Sequence, residues 1–182
     1  VSANAATTNY VSVSGAGAAD GTSEANAWSQ ATFLSSATSG ASTNDRNWYL
    51  FAAGTYGSIS LGLSNIAVQS IQKGRAEIVG TAASFGIRWL DGYKGNLIRG
   101  FRLRSTYLTG IKVNGDYNTI MDNFIDNAGR GDPLWVTNNT GTFTGQGIEA
   151  HGFIGTSIIR NRIRNNGARV NLDHGIYVAG TT

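Results

Sequence analysis

The sequence predicts an all-β chain wound as a β-solenoid, and three observations predict it. Among 182 residues Gly is very frequent (25), Pro almost absent (1), and charged residues make up only 14%. With abundant Asn, Ser and Thr, that mixture suits many short strands joined by tight turns, not a helical bundle with 3.6-residue periodicity. Four segments then open alike: "GIRWLDGYKGNLIRGFRLRS" from Gly86, "GIKVNGDYNTIMDNFIDN" from Gly110, "GIEAHGFIGTSIIRNRIRNN" from Gly147 and "GIYVAGTT" from Gly175. Each runs Gly-Ile-x-x, passes a turn containing Gly and, except in the short last one, enters a second strand. Finally, apolar residues recur in register when the segments are stacked. Ile87, Ile111, Ile148 and Ile176 form one row, Ile98, Ile120 and Ile158 a second, and Leu103, Ile125 and Ile163 a third. A unit of this size repeated in sequence is the mark of a solenoid, in which each coil buries its apolar rows only against its neighbours.

The elements follow in chain order. "EANAWSQATFLSSA" (24–37) reads as one short helix, with Ala27, Trp28, Ala31, Phe33 and Leu34 on its apolar side. A solenoid exposes a raw hydrophobic end unless something covers it, so this helix is expected to be a cap. "NWYLFAAGTYGSISL" (47–61), "NIAVQSI" (65–71) and "AEIVG" (76–80) read as strands with small-residue turns. The Gly-Ile starts are 24, 37 and 28 residues apart, and the long interval holds one inserted loop, residues 130–146. The expected organisation is therefore a single domain over 1–182, with 1–46 as N-terminal strand and cap helix and 47–182 as coils. Asn123 and Asn161 fall at equivalent turns, with Phe101 in the preceding coil. An internal Asn ladder satisfies buried turn backbone, so these two read as structural.

Composition also narrows function. Absence of Cys removes a disulfide framework and thiolate metal sites. No stretch approaches the roughly 20 apolar residues of a membrane span. Net charge is +3, and 11 of the 14 basic residues are Arg. That mild surplus fits an acidic polymer as partner, whereas nucleic acid calls for denser Lys/Arg clusters interleaved with aromatics. The start "VSANAATTNY" is small and polar, with Ala3-Asn4-Ala5 like the end of a signal cleavage site, which favours a secreted, cell-surface or periplasmic bacterial protein.

Three features carry a resemblance: "NYVSVSGAGAADGTSEANAWSQA" before the cap helix, "NWYLFAAGTYGSISL" entering the first coils, and the Gly-Ile-x-x / Asn-x-Ile-x-x-Asn-x-Ile coils. The chain resembles the N-terminal part of a right-handed parallel β-helix of the pectate-lyase-like superfamily, and the resemblance covers nearly all of it. That class includes polysaccharide lyases, pectin-type glycoside hydrolases, alginate epimerases, phage tailspikes and adhesins, so the fold does not choose among functions. The resemblance implies calcium as the metal to consider; Asp116, Asp122, Asp126 and Asp132 are acidic candidates, and no spacing singles them out.

Chemistry is sought on the outward face. If the Ile after each Gly points in, the next residue points out, giving the row Arg88, Lys112, Glu149, Tyr177. Two positions further the row is Leu90, Asn114, His151, Ala179. Asp173 and His174 flank the last coil. Both His residues of the chain fall in this group, the densest set of proton-transfer residue types. A uronic-acid polymer is cleaved by β-elimination when a base removes the C5 proton, the carboxylate is neutralised and the 4-linked oxygen leaves with a proton. Arg88 and Lys112 are the expected neutralisers, His151 or His174 the base and Tyr177 the acid. Glu149, Asp173 and the loop residue Trp135 are the remaining substrate-side candidates; Trp135 and Phe143 lie on the inserted loop.

The favoured expectation is a lyase on an acidic polysaccharide. A C5-epimerase or glycoside hydrolase on similar substrates, or a non-catalytic adhesin or tailspike-like solenoid, is the alternative. The pectin-type hydrolases carry an Asn-x-Asp strand and an Asp-Asp pair, neither of which is evident, and no tight carboxylate pair is visible. Three plain structural readings stand beside these: Lys112–Glu149 as a surface ion-pair ladder, His174 as a turn cap, and Trp135 as a residue packing its loop down. A second basic group, Arg160, Arg162 and Arg164 near Arg102 and Arg104, reads as a solvated face paired with Asp122 and Asp126. The closing Gly175-Ile176-Tyr177-Val178 reads as the first strand of a fourth Gly-Ile coil, so missing C-terminal coils or a partner chain are expected to cover that end.

Overall fold

The computed structural model describes residues 6–38, 46–80, 85–104, 109–128, 145–151, 154–167 and 174–179. Its strands pair in parallel in three sheets, each visited once per coil. The first coil is β3 (Trp48–Phe51), β4 (Gly54–Tyr56) and β5 (Ile59–Leu61). The second is β6 (Ala67–Ser70), β7 (Ala76–Val79) and β8 (Ile87–Trp89). The third is β9 (Leu97–Arg99), β10 (Arg102–Arg104) and β11 (Ile111–Asn114). The fourth is β12 (Thr119–Met121), β13 (Phe124–Asp126) and β14 (Ile148–His151). The fifth is β15 (Ser157–Ile159), β16 (Arg162–Arg164) and β17 (Ile176–Ala179). Strands from the same place in successive coils are neighbours, giving a first sheet from β3 to β15, a second from β4 to β16 and a third from β5 to β17. This is a parallel β-helix. Two N-terminal strands, β1 (Thr8–Ser12) and β2 (Trp28–Ser29), extend the first sheet beyond β3.

The register joins the rows read from the sequence. Ile87, Ile111, Ile148 and Ile176 are successive partners, as are Ile98, Ile120 and Ile158, and Leu103, Ile125 and Ile163. The first three Ile of the Gly-Ile row are fully buried, whereas Ile176 is 47% exposed in the last described strand. The glycines ahead of Ile111 and Ile148 have a steric cause. A Cβ on Gly110 would lie 2.6 Å from Ile125 Cγ2 and 2.7 Å from the Gly147 carbonyl oxygen. The corner between the second and third sheets therefore closes only without a side chain.

The turns from β9, β12 and β15 into the second sheet have two residues, the first left-handed: Gly100 (φ 75°), Asp122 (φ 58°) and Arg160 (φ 51°). The second residue builds the ladder. Asn123 Oδ1 accepts from the Phe101 backbone N–H (3.0 Å), and Asn161 Oδ1 accepts from the Asn123 N–H (3.0 Å). Asn123 and Asn161 donate in turn to the carbonyls of Ile98 and Ile120. A second ladder, which the sequence reading did not identify, runs from Ile66 N–H to Asn96 and from Asn96 N–H to Asn118.

The expected single helix over 24–37 is three elements. A 3₁₀ turn (Glu24–Asn26) is followed by β2 and then by α1 (Gln30–Thr38). Pairing of Trp28 and Ser29 with β1 keeps that backbone extended. The Ser29 hydroxyl then accepts from the Thr32 N–H (3.0 Å), a cap that starts the helix at Gln30. Phe33 and Ala37 are buried, while Ala31, assigned to the apolar side, is exposed. The Phe33 ring meets Tyr49 and Phe51 edge-on at 5.0 and 5.1 Å, and Phe51 continues to Phe101 at 5.2 Å. The Gln30 amide fixes the helix to the first coil by accepting from Gly57 N–H and donating to Gly57 O, both at 3.0 Å. No helix among the described residues is long and apolar enough to cross a membrane.

Candidate functional site

Alternation along the third sheet turns one column of side chains outward from the buried Ile row. The register places Lys112 beside Arg88 and Glu149, Glu149 beside Tyr177, and Asn114 beside His151. At about 4.8 Å between strands, such neighbours are within side-chain reach.

Glu149 is the centre of the group. It is 5% exposed, and its Oε1 accepts from Lys112 Nζ at 2.7 Å and lies 2.6 Å from His151 Nε2. Its Oε2 accepts from Thr109 Oγ1 at 3.0 Å. Burial alone pushes the Glu149 carboxyl upward, but hydrogen bonds from Lys112, His151 and Thr109 and the Lys112 charge outweigh it and hold the group below the usual carboxylate range. An ionised carboxylate only accepts, so His151 Nε2 is the donor and, in the neutral ring, Nδ1 keeps its lone pair. Lys112 and Glu149 do form the ion pair across adjacent coils that the plain reading expects, but it is shielded from solvent, with side chains 19% and 6% exposed.

Aromatic contacts tie the neighbouring coil to this pair. Tyr177 lies 6.1 Å from the His151 ring, and His174 stacks on Tyr177 at 5.7 Å with 17° between planes. Arg88 and Lys112 both sit over the Phe85 ring, at 5.1 and 5.4 Å. Among the described residues Arg88 makes no ion pair with a carboxylate. The structure thus brings Lys112, Glu149, His151, Tyr177 and His174 together, with Arg88 one coil beyond Lys112 and two coils from Glu149 and His151. Asp173, Trp135 and Phe143 lie outside the described residues, as does loop 130–146 apart from its last two residues.

Sequence reasoning missed Thr109, Phe85 and Gln146. Thr109 donates to Glu149 and also lies 3.3 Å from Gln146 Oε1. All three directly precede the Gly of a Gly-Ile start, and His174 holds the same place in the last. Extending the stack by one residue would have exposed the row.

Among the described residues no three His, Asp or Glu side chains are grouped to hold a metal ion. Of the calcium candidates, Asp122 is bound by Lys73, Arg99 and Arg160. Asp126 pairs with Arg164, Asp116 accepts from the Ile154 N–H, and Asp132 lies outside the described residues. The basic group of the second sheet is paired in part as the sequence suggested, with Arg160 bidentate on Asp122 at 3.0 and 2.9 Å.

Fold and site together define a parallel β-helix protein whose third sheet carries a buried carboxylate holding an imidazole beside a phenol and a cation. Such a group can hold a base in one tautomer and offer a second proton donor beside it. No protein-family model, curated protein or solved structure matches the chain.

Proposed function

We propose that this chain is a polysaccharide-active enzyme, exported from a bacterial cell, that cleaves a uronic-acid polymer by β-elimination on its third sheet. The winding is right-handed, as crossover connections between parallel strands in one sheet almost always are, and the pectate-lyase-like resemblance of the coils supports this. The observation that carries the chemistry is the 2.6 Å contact of Glu149 with His151 Nε2 beside Lys112.

In this reading Glu149 is a positioning residue that fixes the tautomer of His151. His151 Nδ1 takes the C5 proton. The C5–H electron pair becomes the C4=C5 double bond, the C4–O bond breaks, and the departing oxygen takes the Tyr177 phenolic proton. Arg88, with no ion pair among the described residues, neutralises the uronate carboxylate and so acidifies C5. Lys112, already held by Glu149, contributes by keeping that carboxylate ionised. The second imidazole, His174, stacked on Tyr177, favours a C5-epimerase as the runner-up, since epimerisation returns a proton from the opposite face.

Each reading has its own signal. Unsaturated uronate absorbs in the ultraviolet, so a lyase produces rising absorbance on a panel of polyuronates. Deuterium entering C5 from solvent without cleavage marks the epimerase instead. His151→Ala is expected to lower the elimination rate at least about 10²-fold, the scale of lost acid–base catalysis. A His151→Ala enzyme as fast as wild type removes the proposed base.

A further inference from the structure

The outward face of the second sheet carries a charge concentration that the third-sheet chemistry does not use. Lys73, Arg75, Arg102, Arg162 and Arg164 stand against Glu77 and Asp126, a local +3 that matches the net charge of the whole chain. These residues line two adjoining depressions of about 310 and 400 Å³ that share Gly74 and Arg102 and run from coil to coil. The register sets Glu77, Arg102, Phe124 and Arg162 in one column and Arg104, Asp126 and Arg164 in the next. Glu77 is shared by Arg102 and Arg104, and Asp126 is held by Arg164. Arg75 and Arg162 have no carboxylate partner among the described residues. Phe124 lies half-buried in the floor beneath Lys73, 5.5 Å from its ring centre.

We infer that this groove is a second, non-catalytic binding site for a linear acidic polysaccharide laid along the solenoid axis. Arg102 with Arg104 and Arg162 with Arg164 are separated by one strand that carries Phe124 and Asp126, so the guanidinium pairs stand two strand spacings apart, about 9.6 Å, and a polymer with one carboxylate per sugar meets cations in alternate coils. Glu77 and Asp126 accept from sugar hydroxyls, which a chain of phosphodiesters lacks in comparable number. The single aromatic, Phe124, gives one apolar platform for a sugar face. A single-stranded nucleic acid is disfavoured because it needs successive stacking rings. Only the choice of uronic acid as the sugar rests on the function proposed above; the groove and its charge do not.

The test is calorimetric titration of the full chain with polygalacturonate, polymannuronate, neutral dextran and a single-stranded oligonucleotide. The expected result is binding of a polyuronate that weakens as salt rises, and none of dextran. Arg162→Glu is expected to weaken it at least about tenfold, the loss of one charge-assisted hydrogen bond, whereas His151→Ala removes turnover and leaves this binding intact. If Arg162→Glu lowers the melting temperature, Arg162→Gln carries the same expectation. Polyuronate binding that is absent, equal in wild type and the Arg162 variant, or weaker than oligonucleotide binding overturns the site. Groove binding without elimination would overturn the lyase alone, and elimination with unchanged binding in the Arg162 variant would overturn the groove alone.

Discussion

Single polar side chains decide two different matters in this chain. Glu149 gathers Lys112, His151 and Thr109 around one carboxylate, which orders the proposed site. Asn123, 1% exposed, serves folding instead, accepting from Phe101 N–H and donating to Ile98 O and Asn161 Oδ1. Replacing it with Ala strands two buried backbone groups of the third coil, Phe101 N–H and Ile98 C=O. Asn123→Ala is therefore expected to lower stability by about 3 kcal/mol, at the upper end for a buried unsatisfied group, read from the urea midpoint. A variant as stable as wild type would show that the ladder is incidental. Asn123 was legible because it recurs at Asn161 within a repeat. Thr109 and Phe85 were not, because nothing about a lone Thr or Phe beside Gly marks it before the third sheet is folded.

The Gly-Ile corner explains both what was legible at the level of elements and what was not. The motif located the strands of the third sheet because packing demands it: Gly110 has no room for a Cβ, and the Ile behind it must fill the core. Gly175 sits at the same motif position but would place a Cβ only within ordinary contact, 3.9 Å from Ile163 Cγ2. Gly110→Ala is expected to cost about 1–3 kcal/mol, the range for overpacking a filled site, and Gly175→Ala much less. Equal losses in thermal denaturation would mean that the corner is not the constraint. Residues 24–37 were misread as one helix because composition carries no record that β1 pairs with Trp28 and Ser29. That pairing is tertiary, and it overrides the local helical preference.

Across the whole molecule, carboxylates are few and nearly all the described ones are engaged by cations or hydrogen-bond donors. Asp122 is held well below the usual range by the Arg160 hydrogen bonds, against an opposing effect of burial and with help from Lys73. Asp126 is lowered first by Arg164, and Glu149 is lowered despite burial. Depressed folded pKa values mean that this stabilisation is complete above the unfolded carboxylate range of about 4 and is lost as pH falls through it toward the folded values. The urea midpoint is expected to hold from pH 7 to 5 and fall below about pH 4. Asp122→Asn should flatten that fall, and an unchanged acid limb in this variant would contradict the assignment. Coil stacking and its rows could be read from sequence since each coil repeats its neighbour. The charge of the second-sheet groove could not, because Lys73, Arg102 and Arg162 are brought together only by winding.

In the proposed function, His151, held by Glu149 on the third sheet, removes a proton from C5 of a uronic acid. The most direct measurement follows ultraviolet absorbance of unsaturated uronate and solvent deuterium at C5 together, for wild type and His151→Ala on the same polyuronate panel. Absorbance is expected to rise with wild type on at least one polymer, and its rate to fall at least about 10²-fold in the variant. Neither absorbance nor deuterium on any polyuronate, or equal rates in the two proteins, would contradict it.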